Sequence, residues 1–137
     1  MEKFNIVIGT HGRFGEELVN SARMIAGALE QVECCSLLPE YSFEEYMRFV
    51  DETLSKKEGF TIVLVDLFGG TPSNVFTVLS KKYNYQVVTG CNLPMLIDLY
   101  IKLSNMDEKE LDVEGLIQDI MKTYTEAFVH TNKQLES

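Results

Sequence analysis

FNIVIGTHGRFG, residues 4–15, is the stretch whose reading decides the fold. Ile6, Val7 and Ile8 follow one another with no polar alternation, which suits a strand buried on both faces of a parallel sheet. The apolar run ends abruptly in a glycine-flanked histidine, and an amphipathic segment starts straight after it. His11 therefore falls at a strand's carboxyl mouth and a helix's first turn, where open α/β sheets place ligands and chemistry. It is one of only two histidines in the chain.

Outward from that stretch the same alternation repeats. After the turn at 9–12, Leu18, Ala22, Ile25 and Leu29 recur at helical spacing, with Glu16 and Glu17 favourably placed in the first turn and Gly27 as a stop. Residues 32–38 read as a second strand holding Cys34 and Cys35 as small apolar fillers, closed by Pro39. Ser42 and Glu45 have capping-box spacing and open a helix carrying Phe43, Tyr46, Met47, Val50 and Leu54. FTIVLVD, residues 60–66, is the strongest strand and suits a central position. In LFGGTPSN, which follows it, Gly69 and Gly70 allow a tight turn, and Thr71 is expected to N-cap a helix with Pro72 at N1. That helix carries Val75, Val78 and Leu79. A fourth strand is expected over 85–89, then helices over 94–104 and 113–125, with 127–131 readable as an edge strand or a helix tail. The order predicts an α/β fold: a three-layer, doubly wound, mostly parallel open sheet with right-handed crossovers, formed as a single domain over residues 1–137.

Composition narrows the function classes. With 45% hydrophobic and 24% charged residues, the 137-residue chain reads as an ordinary globular protein long enough to bury a core. No apolar run approaches the roughly 20 residues of a membrane helix, and MEKFNIVIG has no signal-peptide pattern. A net charge of −9 argues against nucleic acid and is compatible with a basic protein partner. Three cysteines without zinc-site spacing point to a reduced, cytoplasmic protein. Neither a P-loop nor a dinucleotide fingerprint is present, and no metal or cofactor site is expected.

His11 and Asp66 both close a strand, so a doubly wound sheet can bring them face to face. A carboxylate accepting from Nδ1–H fixes the tautomer and leaves Nε2 as a free lone pair. Helix N-termini after His11 and after Gly70 would supply N–H donors that favour a dianion there. Thr10 and Thr71 are hydroxyls within reach of its oxygens. The plainer reading of each is a satisfied strand-end polar residue or a cap. The rim formed by Arg13, Phe14, Phe68, Leu93, Pro94 and Met95 is the candidate docking surface, although apolar residues beside such a loop serve equally as its anchors.

IVIGTHG, DLFGGTPSN and TGCNLPML, in this order and spacing, resemble the IIA domain of the mannose/sorbose-type sugar phosphotransferase system. The resemblance implies that His11 takes phosphate through Nε2 from phospho-HPr and passes it to a IIB component, which phosphorylates the sugar during uptake through the membrane components IIC and IID. It implies that Asp66 orients His11, that Gly12 and Gly70 support the site, and that Thr71 donates a hydrogen bond where many members have Ser. Phe68 stands where some members have Trp, and Arg13-Phe14 replaces other residues, which bears on partner fit. The family is dimeric with a crossing C-terminal strand, which gives 127–131 a second reading; His130 there is taken as structural or exposed. The alternatives are a phosphotransfer subunit feeding dihydroxyacetone kinase and a regulatory module read out by its phosphorylation state. An α/β hydrolase is disfavoured, because no GxSxG elbow is present.

Overall fold

The structure is a computed structural model that describes residues 4–136. Four strands, β1 (Phe4–His11), β2 (Val32–Leu37), β3 (Phe60–Val65) and β4 (Tyr85–Thr89), alternate with helices α1 (Phe14–Ala26), α2 (Phe43–Ser55), α3 (Thr71–Leu79) and α4 (Leu93–Ser104), and α5 (Val113–Glu126) follows. They form one sheet in the order β2-β1-β3-β4 with every pair parallel. The chain moves outward from β1 in one direction to β2, then back past it to β3 and β4. With crossovers of one hand, that reversal sends α1 to one face of the sheet and α2 and α3 to the other.

Strand side chains divide accordingly. Ile6, Ile8, Ile62, Leu64 and Val88 pack with residues of α1, α4 and α5. Val7, Val63 and Val65 pack with Tyr46, Val50 and Leu54 of α2 and with Val75, Phe76 and Leu79 of α3. Both faces of β1 and β3 are thus covered, which explains why neither strand alternates with polar residues.

β1 runs three residues beyond its apolar stretch, because Thr10 and His11 still pair with Ser36 and Leu37 of β2. The capping box of α2 is present: the Ser42 hydroxyl accepts from the Glu45 N–H at 3.1 Å, and the Ser42 N–H donates to Glu45 Oε1 at 2.8 Å. That backbone bond holds the Glu45 carboxyl below its usual range. Gly27, with φ +80°, ends α1 as expected.

Three local expectations are corrected. Gly70, not Thr71, is the N-cap of α3; its extended backbone leaves Thr71 as the first helical residue. Ile25 is 66% exposed, because Gly15, Leu18, Val19 and Ala22 carry the buried stripe of α1; Leu29 is buried from the loop that follows. Val78 is likewise exposed on α3. At the C-terminus α5 ends at Glu126 with Ala127 as its C-cap, residues 128–130 are irregular and exposed, and a 3-10 turn covers Thr131–Leu135. The segment therefore continues neither the helix nor its own sheet, and His130 is exposed.

Gly9 shows how tightly the sheet meets α3. A Cβ there would lie 2.3 Å from Phe76 Cε2, and the Phe76 ring is fully buried. Gly9→Ala is expected to cost about 2–3 kcal/mol through overpacking. Thermal unfolding checks this: Gly9→Ala should melt well below the native chain, with partial recovery in Gly9→Ala/Phe76→Leu. An unchanged midpoint would contradict it.

Candidate functional site

The site is built on the adjacent carboxyl ends of β1 and β3. His11 is the last residue of β1, and Asp66 follows the last residue of β3. The two strands are neighbours in register, with Gly9 opposite Val65, so the two chain ends emerge side by side. Asp66 Oδ2 lies 2.8 Å from His11 Nδ1 and accepts the His11 backbone N–H at 2.9 Å. The other oxygen, Oδ1, accepts the Leu67 N–H at 3.0 Å. With both oxygens committed to N–H donors, the carboxylate is an acceptor toward the ring. The proton is therefore assigned to Nδ1, and Nε2 carries the lone pair. The imidazole is 47% exposed while the carboxylate is 11% exposed, so the carboxylate is sheltered and the ring is open to solvent.

Gly70 sets the ring's position from the other side. A Cβ at Gly70 would lie 2.6 Å from His11 Cε1 and 3.3 Å from Nε2. The backbone conformation at Gly70 is ordinary (φ −82°), so glycine is needed for space rather than for torsional freedom. This contact brings the N-terminus of α3 against the imidazole. Pro72 has no N–H, which leaves the donors of Thr71 and Ser73 open in the first turn. The Thr71 side chain is half-buried beside Gly70, and its hydroxyl has no hydrogen-bond partner among the described residues. Gly70→Ala is expected to push the ring off Asp66. The ¹⁵N shifts of the His11 ring report the tautomer that Asp66 holds; native shifts in the variant would contradict the steric account.

Gly12, with φ +57°, turns the chain away from the sheet, and its N–H donates to the Leu37 carbonyl at 2.8 Å. Thr10 departs from expectation. Its side chain is buried; the hydroxyl accepts the Gly15 N–H at 2.9 Å and donates to the Gly12 carbonyl at 3.3 Å. The side chain points toward α1 because residues alternate along β1, so it braces the turn from the face opposite the imidazole and is not available to a ligand on Nε2.

The docking rim divides. Arg13, Phe14 and Pro94 are exposed, and Phe68 is 85% exposed. Leu93 is half-buried against the core. Met95 is fully buried and is removed from the rim: its N–H bonds the Asn92 side chain at 2.8 Å, which starts α4 and turns Met95 toward the sheet. The NLPML stretch is thus scaffold behind Asp66, tied to β3 by the Cys91 N–H to the Val65 carbonyl at 3.0 Å. Burial, with the Asp66 charge adding to it, pushes the Cys91 thiol up to about 12, so it stays protonated near neutral pH.

The β2–α2 loop was not singled out by its sequence. Leu37, Leu38, Pro39 and Tyr41 join His11 and Gly12 around an open pocket of about 310 Å³. In the sequence Pro39 reads only as a strand stop, and nothing there ties it to His11. Among the described residues no group of three or more His, Cys, Asp or Glu side chains could hold a metal ion. No described helix is long and apolar enough to cross a membrane.

Fold and site together define a doubly wound α/β protein with a carboxylate-held histidine at the sheet's switch point. The family model described as "PTS system fructose IIA component" (EIIA-man) matches residues 5–114. The mannose-specific EIIAB component of the phosphotransferase system of Escherichia coli (strain K12) is 34% identical over 96 residues, which span 68% of this chain and 30% of that protein. The sorbose-specific EIIA component of Lacticaseibacillus casei is 27% identical over 119 residues, covering 85% of this chain and 83% of that one. A crystal structure of a phosphotransferase system component EIIA from Streptococcus agalactiae superposes with a TM-score of 0.84 at 26% identity, over 96% of this chain and 99% of that one. The chain belongs to the EIIA-man family of phosphotransferase-system IIA components.

Proposed function

We propose that this protein relays a phosphoryl group in a sugar phosphotransferase system, taking it from phospho-HPr on His11 Nε2 and passing it to a IIB component. The observation that carries this reading is the 2.8 Å contact between His11 Nδ1 and Asp66, whose carboxylate is already committed to two backbone N–H groups. The Nε2 lone pair forms a bond to the donor's phosphorus as the donor's P–N bond breaks, and that electron pair returns to the donor's ring nitrogen. Nδ1–H stays on Asp66, whose negative charge offsets the positive charge that the ring gains. The open donors of α3 and the Thr71 hydroxyl face the three phosphoryl oxygens, so catalysis is alignment and electrostatics, with no nucleotide required. Onward transfer to IIB reverses these roles. The sugar would enter through the membrane components IIC and IID, which this protein serves from the cytoplasm. The exposed side chains Arg13, Phe14, Phe68 and Pro94 form the rim that both partners would cover.

The experiment is labelling with phosphoenolpyruvate, enzyme I and HPr, then a chase with candidate IIB proteins. The expected result is an acid-labile, base-stable adduct on His11 that is lost to IIB. An unlabelled His11 would overturn the reading. A label that chases only to a dihydroxyacetone kinase subunit would reassign the acceptor.

We also propose a homodimer. An apolar groove of about 480 Å³ lies between the open edge of β4 and α5, lined by Val87, Val88, Met95, Ile117, Met121 and Tyr124. Phe128 and Val129 are exposed on the adjacent tail. A partner's 127–131 segment, laid along β4, would cover both. Truncation after Glu126 should convert a dimer to a monomer in light scattering; a native chain that is monomeric at micromolar concentration would refute this.

A further inference from the structure

Arg13 is the only Lys or Arg in the three loops 9–15, 66–74 and 89–96, and it stands two residues from His11 in a chain of net charge −9. Its side chain is 67% exposed, and its Nη1 lies 3.4 and 3.5 Å from the two carboxylate oxygens of Glu16. Glu16 itself is anchored, because the nearly buried Ser36 hydroxyl of β2 donates to its Oε2. Side-chain alternation on β1 gives this arrangement a direction. Thr10 faces α1, touching the place where a Gly15 Cβ would stand, whereas Gly9 and His11 face α3 through Phe76 and Gly70. The Ser36–Glu16–Arg13 chain thus lies on the α1 side of the sheet's end and the imidazole on the α3 side, so the guanidinium has to cross the open end of the sheet to meet a group on Nε2; its exposed side chain is free to make that crossing, as the buried Thr10 is not.

The carboxylate holds the guanidinium weakly, because the contact is long and open to solvent. A phosphoryl group on Nε2 would be a dianion with three acceptor oxygens, a better match for the two-pronged guanidinium than one carboxylate. We propose that Arg13 leaves Glu16 for the phosphoryl group once His11 carries it, so that Ser36–Glu16–Arg13 is a latch that keeps the cation in reserve until then. Glu16 acts as the positioning residue and Arg13 as the phosphoryl-binding one. The inference rests on phosphorylation of His11 and adds the consequence for partners: the unphosphorylated rim shows a neutralised arginine, and the phosphorylated rim a freed Glu16 carboxylate beside an arginine–phosphate pair.

The test uses the full chain with phosphoenolpyruvate, enzyme I and limiting HPr, and reads the equilibrium division of phosphate between HPr and His11. Arg13→Gln should shift that division toward HPr by about fivefold to tenfold, the scale of one charge-assisted bond. Glu16→Gln keeps an oxygen for Ser36 but removes the competing charge, so it should shift the division about twofold toward His11. The opposite signs separate a latch from a merely structural pair. On the native chain, the Arg13 Nε–H resonance should move on phosphorylation and stay fixed in His11→Gln. If His11 labels normally while both variants match the native division, or both shift it the same way, the latch is wrong. If His11 does not label at all, the phosphotransfer reading fails first.

Discussion

Asp66→Asn is expected to slow phosphoryl acceptance at His11 by up to about 10⁴-fold, the loss when a catalytic histidine's carboxylate partner becomes an amide. Both carboxylate oxygens accept backbone N–H groups, Oδ2 from His11 and Oδ1 from Leu67. An amide therefore has no good orientation. With its NH₂ in the Oδ2 position it opposes the His11 N–H and donates to Nδ1, which moves the ring proton to Nε2 and removes the lone pair that attacks phosphorus. With its NH₂ in the Oδ1 position it opposes the Leu67 N–H instead, and the ring faces a neutral acceptor that cannot offset the charge formed on phosphorylation. The mispaired donor should also cost about 1–3 kcal/mol of stability. Single-turnover transfer from phospho-HPr measures the first effect and thermal unfolding the second. Native rates in both directions would remove Asp66 from the mechanism.

His11→Gln is expected to lower acceptance by at least about 10³-fold, with no adduct that survives base. A glutamine amide nitrogen has no available lone pair, and the buried cysteines offer no replacement. Cys91 is buried with its thiol pushed up to about 12, and Cys35 likewise. Stability should change little, since the ring is half-exposed and Asp66 keeps both of its backbone donors in the variant. A loss of labelling with an unchanged unfolding midpoint is therefore the expected pair of results. If His11→Gln were labelled as well as the native chain, the phosphorylated residue would lie elsewhere.

The local reading of the sequence succeeded where one side chain's chemistry determines a backbone choice. Ser42 and Glu45 could satisfy each other only across a helix start, and that is what they do. Gly27 marked the end of α1 because a left-handed residue stops a helix at little cost in glycine. It failed where a neighbour decides. Thr71 had the chemistry of an N-cap, yet the close approach to His11 requires an extended glycine one position earlier, which takes the cap position. Sequence position alone puts the Thr10 hydroxyl within reach of a group on His11 and Met95 on the docking rim. Alternation along β1 turns Thr10 to the α1 side, and the Asn92 cap turns Met95 into the core.

The sequence by itself determined the order of elements and the strand-end positions of His11 and Asp66, because hydrophobic period, breakers and strand ends are carried by adjacent residues. From these alone a doubly wound sheet follows, and with it His11 and Asp66 at neighbouring strand ends. The tertiary structure alone decided which atoms meet. Gly70 against the imidazole, the Leu37–Tyr41 loop beside it and the Ser36–Glu16–Arg13 chain all join segments far apart in sequence. Those contacts depend on which way each side chain leaves its strand and on how closely α3 approaches β1, quantities set by packing across the whole sheet.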